Sequence, residues 1–225
     1  VTRLIVFDVD STLLAVESLD FAVARALSGA PDGAQRAARL SAITDQGMAG
    51  TLDFRASLEQ RLAIAGLTRA AVEDAREALR HELAPGMAGL LTRLRKDARV
   101  AAVSGGFADL IEPALADLGF APGDIHANSF TYDGAGPQAG VSGFDRDNPL
   151  SRSGGKAVMV RALKNQAGAA HAVMIGDGMT DYEAFAAGAA DAFIGFGGVA
   201  ERAPVREKAP AYARDVDALA HLLGL

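Results

Sequence analysis

Four short apolar runs separated by helical patterns constrain the fold more than any other feature of this sequence. Residues 3–9 read Arg-Leu-Ile-Val-Phe-Asp-Val, and residues 100–103, 172–175 and 192–194 repeat the β-branched pattern. The first run ends in carboxylates. The others end in glycine-containing turns at Ser104-Gly105-Gly106, Gly176-Asp177-Gly178 and Gly195. Runs of this kind fit strands covered on both faces. Helical spacing fills residues 87–96, 107–118, 156–166 and 181–188, so strand and helix alternate as in an α/β fold with a doubly wound parallel sheet. Such sheets take ligands at the carboxyl ends of their strands, and Asp or Ser stands at three of the four run-ends.

From about residue 14 to residue 84 the alternation stops. That stretch is rich in Ala, Leu, Arg and Glu at helical spacing and contains no convincing strand. We expect a core of residues 1–14 and 85–225, and a small helical unit of residues 15–84 inserted after the first strand. Pro85-Gly86 marks the return to the core, and residues 127–143, with Tyr132-Asp133-Gly134 as a turn signal, suggest a hairpin. No apolar run approaches the roughly 20 residues of a membrane-spanning helix, and the beginning of the chain lacks the pattern of a secretory signal. A cytoplasmic protein without membrane association is expected. The absence of cysteine excludes disulfides, thiolate metal sites and cysteine nucleophiles. The net charge of -6 is spread along the chain with no basic, aromatic-rich cluster, so nucleic acid is not an expected partner. Monomer and homodimer both stay open.

Asp8 and Asp10 stand one residue apart at the first run-end and would point to the same side if strand geometry persists. Two crowded carboxylates are tolerable if a divalent cation neutralises one or if one keeps its proton. Such a pair can supply a nucleophile and a general acid. Asp177 and Asp181, in Gly-Asp-Gly-Met-Thr-Asp, add a second acidic cluster whose oxygen-only ligation suits Mg²⁺. Ser104 with the backbone N–H groups of Gly105 and Gly106, at a helix start, would donate to a phosphate. Lys156, after Ser153-Gly154-Gly155, would set an ammonium against phosphoryl oxygens and a nucleophilic carboxylate. Each piece also has a plainer reading as a turn, a helix start, a loop or a solvated lysine. Together they form a kit for phosphoryl transfer by positioning and charge neutralisation. His81, His126, His171 and His221 share no metal-ligand spacing and read as structural.

Phe7-Asp8-Val9-Asp10-Ser11-Thr12, Ser104-Gly105-Gly106-Phe107, Ser153-Gly154-Gly155-Lys156 and Gly176-Asp177-Gly178-Met179-Thr180-Asp181 resemble, in order and spacing, the four motifs of haloacid dehalogenase phosphatases. Ala190-Asp191-Ala192-Phe193-Ile194-Gly195-Phe196-Gly197-Gly198 and Gly143-Phe144-Asp145 resemble the phosphoserine phosphatases more closely than the superfamily at large. The resemblance covers nearly the whole chain. It implies a Rossmannoid core with a helical cap, and magnesium-dependent hydrolysis of O-phospho-L-serine to L-serine and phosphate through an aspartyl-phosphate, the last step of serine biosynthesis. By this resemblance Asp8 attacks phosphorus, Asp10 protonates the departing oxygen and later deprotonates water, and Lys156, Ser104 and Gly105 grip the phosphoryl group. Asp8, Asp177 and the main-chain carbonyl of Asp10 would bind Mg²⁺, with Asp181 behind them or joined through water.

Glu17, Met48, Gly50, Phe54 and Arg61 match the cap pattern in spacing and type. Glu17 would face the substrate's ammonium, Arg61 its carboxylate, and Phe54 with Met48 would exclude water. Thr180, counted with the substrate-binding residues, stands where many members carry Asn. Ser18-Leu19 departs from the commoner small-then-Ile pair after Glu17. An amino-terminal regulatory domain like that of some bacterial relatives is not expected. Glu17 and Arg61 also read as a surface ion pair, and Phe54 and Met48 as cap core. The rival functions are a phosphatase or phosphotransferase for another small phosphorylated amine or amino acid, and a catalytically silent binding protein.

Overall fold

The structure, a computed structural model, describes residues 3–225. Strand β1 (Arg3–Phe7) is followed by four helices, α1 (Ser18–Ala26), α2 (Gly33–Met48), α3 (Phe54–Ala65) and α4 (Arg69–Leu79). Next come α5 (Met87–Leu94), β2 (Ala98–Phe107), α6 (Ala108–Asp117) and β3 (Ile125–Asn128). A hairpin of β4 (Phe130–Tyr132) and β5 (Val141–Phe144) precedes α7 (Gly155–Ala167), β6 (His171–Gly176), α8 (Met179–Ala186) and β7 (Ala192–Phe196). The chain ends with α9 (Ala203–Lys208), β8 (Ala211–Ala213) and α10 (Val216–Leu222). Among the described residues six strands form one sheet in the order β3-β2-β1-β6-β7-β8, with every pairing parallel. This is the doubly wound α/β architecture expected from the alternation of runs.

The two-residue period of β1 sorts its side chains between two cores. Ile5 and Phe7 join Val100, Ala102 and Ile175 under α5, α6 and α10. Leu4 and Val6 join Val103 and Met174 under α7 and α8. Each fully buried side chain of this size contributes about 1.5–3 kcal/mol over exposure, which holds the central strands as a rigid base for whatever projects from their ends.

The stretch expected to be helical is helical, and the chain leaves and rejoins the core at adjacent points. Leu14 and Leu83 form an antiparallel bridge, flanked by Ala15 N–H donating to Glu82 O at 2.7 Å and Ala84 N–H donating to Leu13 O at 2.9 Å. Leu19, Leu40 and Leu58 belong to the same continuous buried cluster as Ile5 and Phe7, so the helices share the sheet's core. The hairpin is tied to them through Val141 N–H to Leu67 O at 2.8 Å.

Several expected boundaries shift for local reasons. β1 stops at Phe7, two residues before the end of the apolar run. Asp8 N–H still reaches Ile175 O at 2.8 Å, but the N–H groups of Thr12, Leu13 and Leu14 then converge on the Val9 carbonyl, and Ser11 turns into the left-handed region at φ 53°. Asp8 and Asp10 therefore sit on a loop, and strand alternation does not orient them. β2 runs on through Ser104-Gly105-Gly106 to Phe107, so this segment is a strand end and not a helix start. β3 and β8 carry no clear signal: they are sheet edges reading Ile-His-Ala-Asn and Ala-Tyr-Ala, and an edge needs no long apolar run. Among the described residues no helix is long and apolar enough to cross a membrane.

Candidate active site

Because β1 lies between β2 and β6, their carboxyl ends bring three of the sequence motifs to one place. Asp8 follows β1, Ser104 lies near the end of β2, and Asp177 follows β6. Lys156, in the first turn of α7, adds the fourth motif. Its Nζ lies 2.7 Å from Asp8 Oδ1 and 2.6 Å from Asp181 Oδ1. Burial opposes the charge on Lys156, but Asp181 and Asp8 outweigh it and hold its pKa above the ordinary lysine value. The other oxygen of Asp181 accepts the Gly178 N–H at 3.0 Å. A side chain at Gly176 would collide with that carboxylate. Burial, then the charge of Asp8, pushes the Asp181 pKa up to about 7, against the pull of Lys156.

Arg202, which belongs to none of the sequence motifs, ties the acidic cluster to the helices. It donates from Nε to Asp177 Oδ2 at 2.7 Å, from Nη2 to Glu17 Oε1 at 3.0 Å and from Nη1 to Asp45 Oδ1 at 3.4 Å. Its one signal in the sequence is its place a few residues beyond the fourth apolar run. Glu17 also accepts the Ser11 hydroxyl at 2.8 Å. Burial raises its pKa, while Arg61 and Arg202 oppose that rise. Burial, with Glu17 and Asp8 adding to it, also raises Asp177 well above the carboxylate range.

Glu17 and Arg61 are not an exposed pair. Arg61, 9% exposed, donates from Nη2 to Asp20 at 3.0 Å, and Asp20 also accepts the Thr44 hydroxyl at 2.8 Å. The Arg61 Nε is buried with no partner. Both residues line one pocket with Asp8, Asp10, Ser104 and Lys156. Met48, Phe54 and Thr180 line it as well, with Gly105. Phe54 lies so close over Gly105 that a Cβ there would strike its ring. The Gly106 N–H, expected to face a phosphate, instead donates to Ser104 Oγ at 2.9 Å, because the strand conformation turns it back. Asp177, Asp181 and Gly50 do not line this pocket; Asp181 reaches it through Lys156, which does.

Asp10 is held differently from the other carboxylates. Its Oδ1 accepts the Ser18 N–H at 3.1 Å and its Oδ2 the Ser18 hydroxyl at 3.0 Å. Burial first, then the charges of Glu17 and Asp8, raises its pKa to about 8, so near neutral pH it keeps a proton.

One oxygen each from Asp8, Asp177 and Asp181 lies within 4.8 Å of the others. The Asp177 Oδ1 is buried without a partner, as a ligand atom awaiting a cation would be. The all-oxygen set fits a hard divalent ion such as Mg²⁺. Both oxygens of Asp181 already have partners, Lys156 and the Gly178 N–H, which suits a supporting position, and the Asp10 carboxyl is not among the three that converge.

The raised carboxyl pKa values predict how the metal-free protein responds to pH. Below about pH 4 these groups are protonated in both folded and unfolded chains. As pH rises towards 8 the folded state retains more protons than the unfolded one, so stability falls. Asp74 and Asp117 are held low by Arg25 and Arg80, and their contribution is constant across that window, as is that of Lys156. His126, whose pKa burial lowers, works the other way as pH rises, but as a single site against the four raised carboxyl groups of Asp10, Glu17, Asp177 and Asp181. Each tenfold change in proton affinity is worth about 1.4 kcal/mol, and each kcal/mol about 2–4 °C. The melting temperature in EDTA should therefore be at least about 5 °C lower at pH 8 than at pH 5.5. MgCl₂ should restore more of it at pH 8. A melting temperature flat with pH, or lowered by Mg²⁺, would contradict this account of the cluster.

A family model described as haloacid dehalogenase-like hydrolase matches residues 5–186. The chain belongs to that family. It is 36% identical to the phosphoserine phosphatase of Bos taurus over 93% of this chain and 88% of that protein. It is 35% identical to the phosphoserine phosphatase of Homo sapiens over the same shares. A solved phosphoserine phosphohydrolase-like protein from Francisella tularensis superposes with a TM-score of 0.88 at 29% identity, covering 99% of this chain and 100% of that one. Members of the family are generally metal-dependent, which agrees with the buried acidic cluster.

Proposed function

We propose that the chain is a magnesium-dependent phosphoserine phosphatase that hydrolyses O-phospho-L-serine through an aspartyl-phosphate on Asp8, completing serine biosynthesis. The observation that carries this reading is the partnerless buried Nε of Arg61, in the pocket that also holds Glu17 and the Asp8–Lys156 pair. A phosphate seated against Asp8 and Lys156 leaves an amino acid's ammonium for Glu17 and its carboxylate for Arg61. Buried polar groups waiting for a partner select strongly, because a ligand that lacks the matching group leaves them unpaired.

In the first half-reaction an Asp8 oxygen bonds to phosphorus, the bond from phosphorus to the seryl oxygen breaks, and the Asp10 proton passes to that oxygen. In the second, Asp10, now a carboxylate, takes a proton from the water that attacks phosphorus, and Asp8 is regenerated as phosphate leaves. The Lys156 ammonium balances Asp8 and the phosphoryl oxygens throughout, and the Ser104 hydroxyl donates to those oxygens. Asp8, Asp177 and the Asp10 main-chain carbonyl would hold Mg²⁺, which would supply further neutralisation of phosphoryl charge.

Residues 15–84 act as a cap on a core of residues 1–14 and 85–225. The pocket beneath it has a cavity volume of about 30 Å³. That is room for little more than ordered water and too little for a phosphorylated amino acid, so substrate enters when the cap moves. The motion must release the Asp53–Ser153 hydrogen bond at 3.2 Å and the Arg55–Ser151 hydrogen bond at 3.0 Å.

The test is phosphate release from O-phospho-L-serine, O-phosphothreonine and a set of sugar phosphates, with Mg²⁺ and with EDTA. A strong, Mg²⁺-dependent preference for O-phospho-L-serine is expected. Preference for another member would keep the aspartyl-phosphate chemistry and overturn the roles of Glu17 and Arg61. No activity on any member would favour a silent binding protein.

A further inference from the structure

We propose that Ser18 is a positioning residue that clamps the proton-carrying carboxyl group of Asp10 and aims it at the leaving oxygen. The proposal rests on the reading of Asp10 as proton carrier. Asp10 lies three residues past the end of β1, beyond the ladder that would fix a strand residue, and next to Ser11 in its left-handed conformation. What orients its side chain is a single residue on the first helix of the cap. Ser18 is fully buried and uses both of its donors on this carboxyl group, the backbone N–H on Oδ1 at 3.1 Å and the hydroxyl on Oδ2 at 3.0 Å.

Two donors on two oxygens fix the carboxyl plane, where one would leave it free to swing. Each carboxyl oxygen keeps a second lone pair, so either can carry the transferable proton while still accepting from Ser18. The clamp therefore holds when Asp10 gives its proton to the seryl oxygen as the phosphorus–oxygen bond breaks, and when it takes one back from water. Gly106 makes room for the arrangement: a Cβ there would come within 3.1 Å of Asp10 Oδ2 and 3.2 Å of Ser18 Oγ. Since the backbone N–H remains in any variant, the hydroxyl can be tested alone.

A role through Asp10 has a signature that a packing role lacks. Departure of a seryl alkoxide needs a proton, whereas departure of acetate from acetyl phosphate does not, and kcat/KM reports the step in which the leaving group departs. Ser18→Ala and Ser18→Gly should each lower kcat/KM for O-phospho-L-serine about tenfold, a modest share of the 10²–10⁴ typical of general acid catalysis. KM should stay within about twofold, and kcat/KM for acetyl phosphate should change by less than about twofold. Ser18→Thr, which keeps the hydroxyl, should recover most of the loss. Equal losses on both substrates in the Ala and Gly variants, or no loss on O-phospho-L-serine, would overturn the proposal. If the wild-type protein rejects O-phospho-L-serine but hydrolyses another alkyl phosphate, the substrate reading alone fails. The same ratio is then read on that ester, and a selective loss there still supports Ser18.

Discussion

Asp8→Asn is expected to remove at least about 10⁴-fold of the turnover of O-phospho-L-serine while leaving the folded protein as stable as before, or more so. A carboxamide is nearly the same size as a carboxylate but does not attack phosphorus, so the covalent route closes. The stability side follows from charge. Asp8 is one of the charges that raise the pKa values of Asp10, Asp177 and Asp181, so removing its negative charge relieves repulsion among buried groups. Lys156 is not orphaned, because Asp181 remains 2.6 Å from its Nζ. The checks are phosphate release, trapping of labelled phosphoenzyme after acid quench, and thermal melting in EDTA at pH 8. Loss of turnover with loss of the trapped phosphoenzyme and an unchanged or raised melting temperature is the expected set. Retained activity would refute Asp8 as the nucleophile. Loss of activity with a collapse in melting temperature would instead mean that the Asp8–Lys156 pair is mainly structural.

The residues legible in the sequence are those whose chemistry demands one residue type at one place along a strand–turn–helix unit. Asp8, Ser104, Lys156 and Asp177 each stand near the end of a strand or the start of a helix, and the order of the sheet then makes them neighbours. The fold class is legible for the same reason, since the buried central strands must read as apolar runs. The edge strands β3 and β8 lie beyond such reading, because an edge is defined by what lies beside it. Local turns are also hidden. Nothing in Val-Asp-Ser-Thr foretells that β1 stops at Phe7, so strand alternation assigns Asp8 and Asp10 a shared location for the wrong reason. Arg202 is hidden by distance, since its bond to Glu17 joins residues 185 apart in the chain. Ser18 is visible in the sequence only as a departure from a family pattern, and its meaning emerges from its two bonds to Asp10. Asp20 carries no motif, yet it holds one side of the Arg61 fork.

Because Asp20 holds one side of the fork, Arg61→Met is expected to lose amino-acid recognition. Asp20 fixes Arg61 through Nη2, which leaves the partnerless Nε and the rest of the fork for a carboxylate. Two charge-assisted bonds to a buried carboxylate are worth about 3–4 kcal/mol, or about 10²–10³ in kcat/KM. O-phosphoethanolamine, which is O-phospho-L-serine without its carboxylate, isolates this contribution. The wild-type protein should prefer O-phospho-L-serine by about that factor. Arg61→Met should abolish the preference by losing activity on O-phospho-L-serine while activity on O-phosphoethanolamine stays within a few-fold. Arg61→Lys should recover little, because an ammonium cannot serve Asp20 and a substrate carboxylate with the geometry of a planar fork. Steady-state kinetics on the two substrates, with melting temperature as a control for the lost Asp20 contact, decides the matter. Equal losses on both would make Arg61 a support for the cap that acts through its contact with Asp20, and would overturn its role in carboxylate recognition.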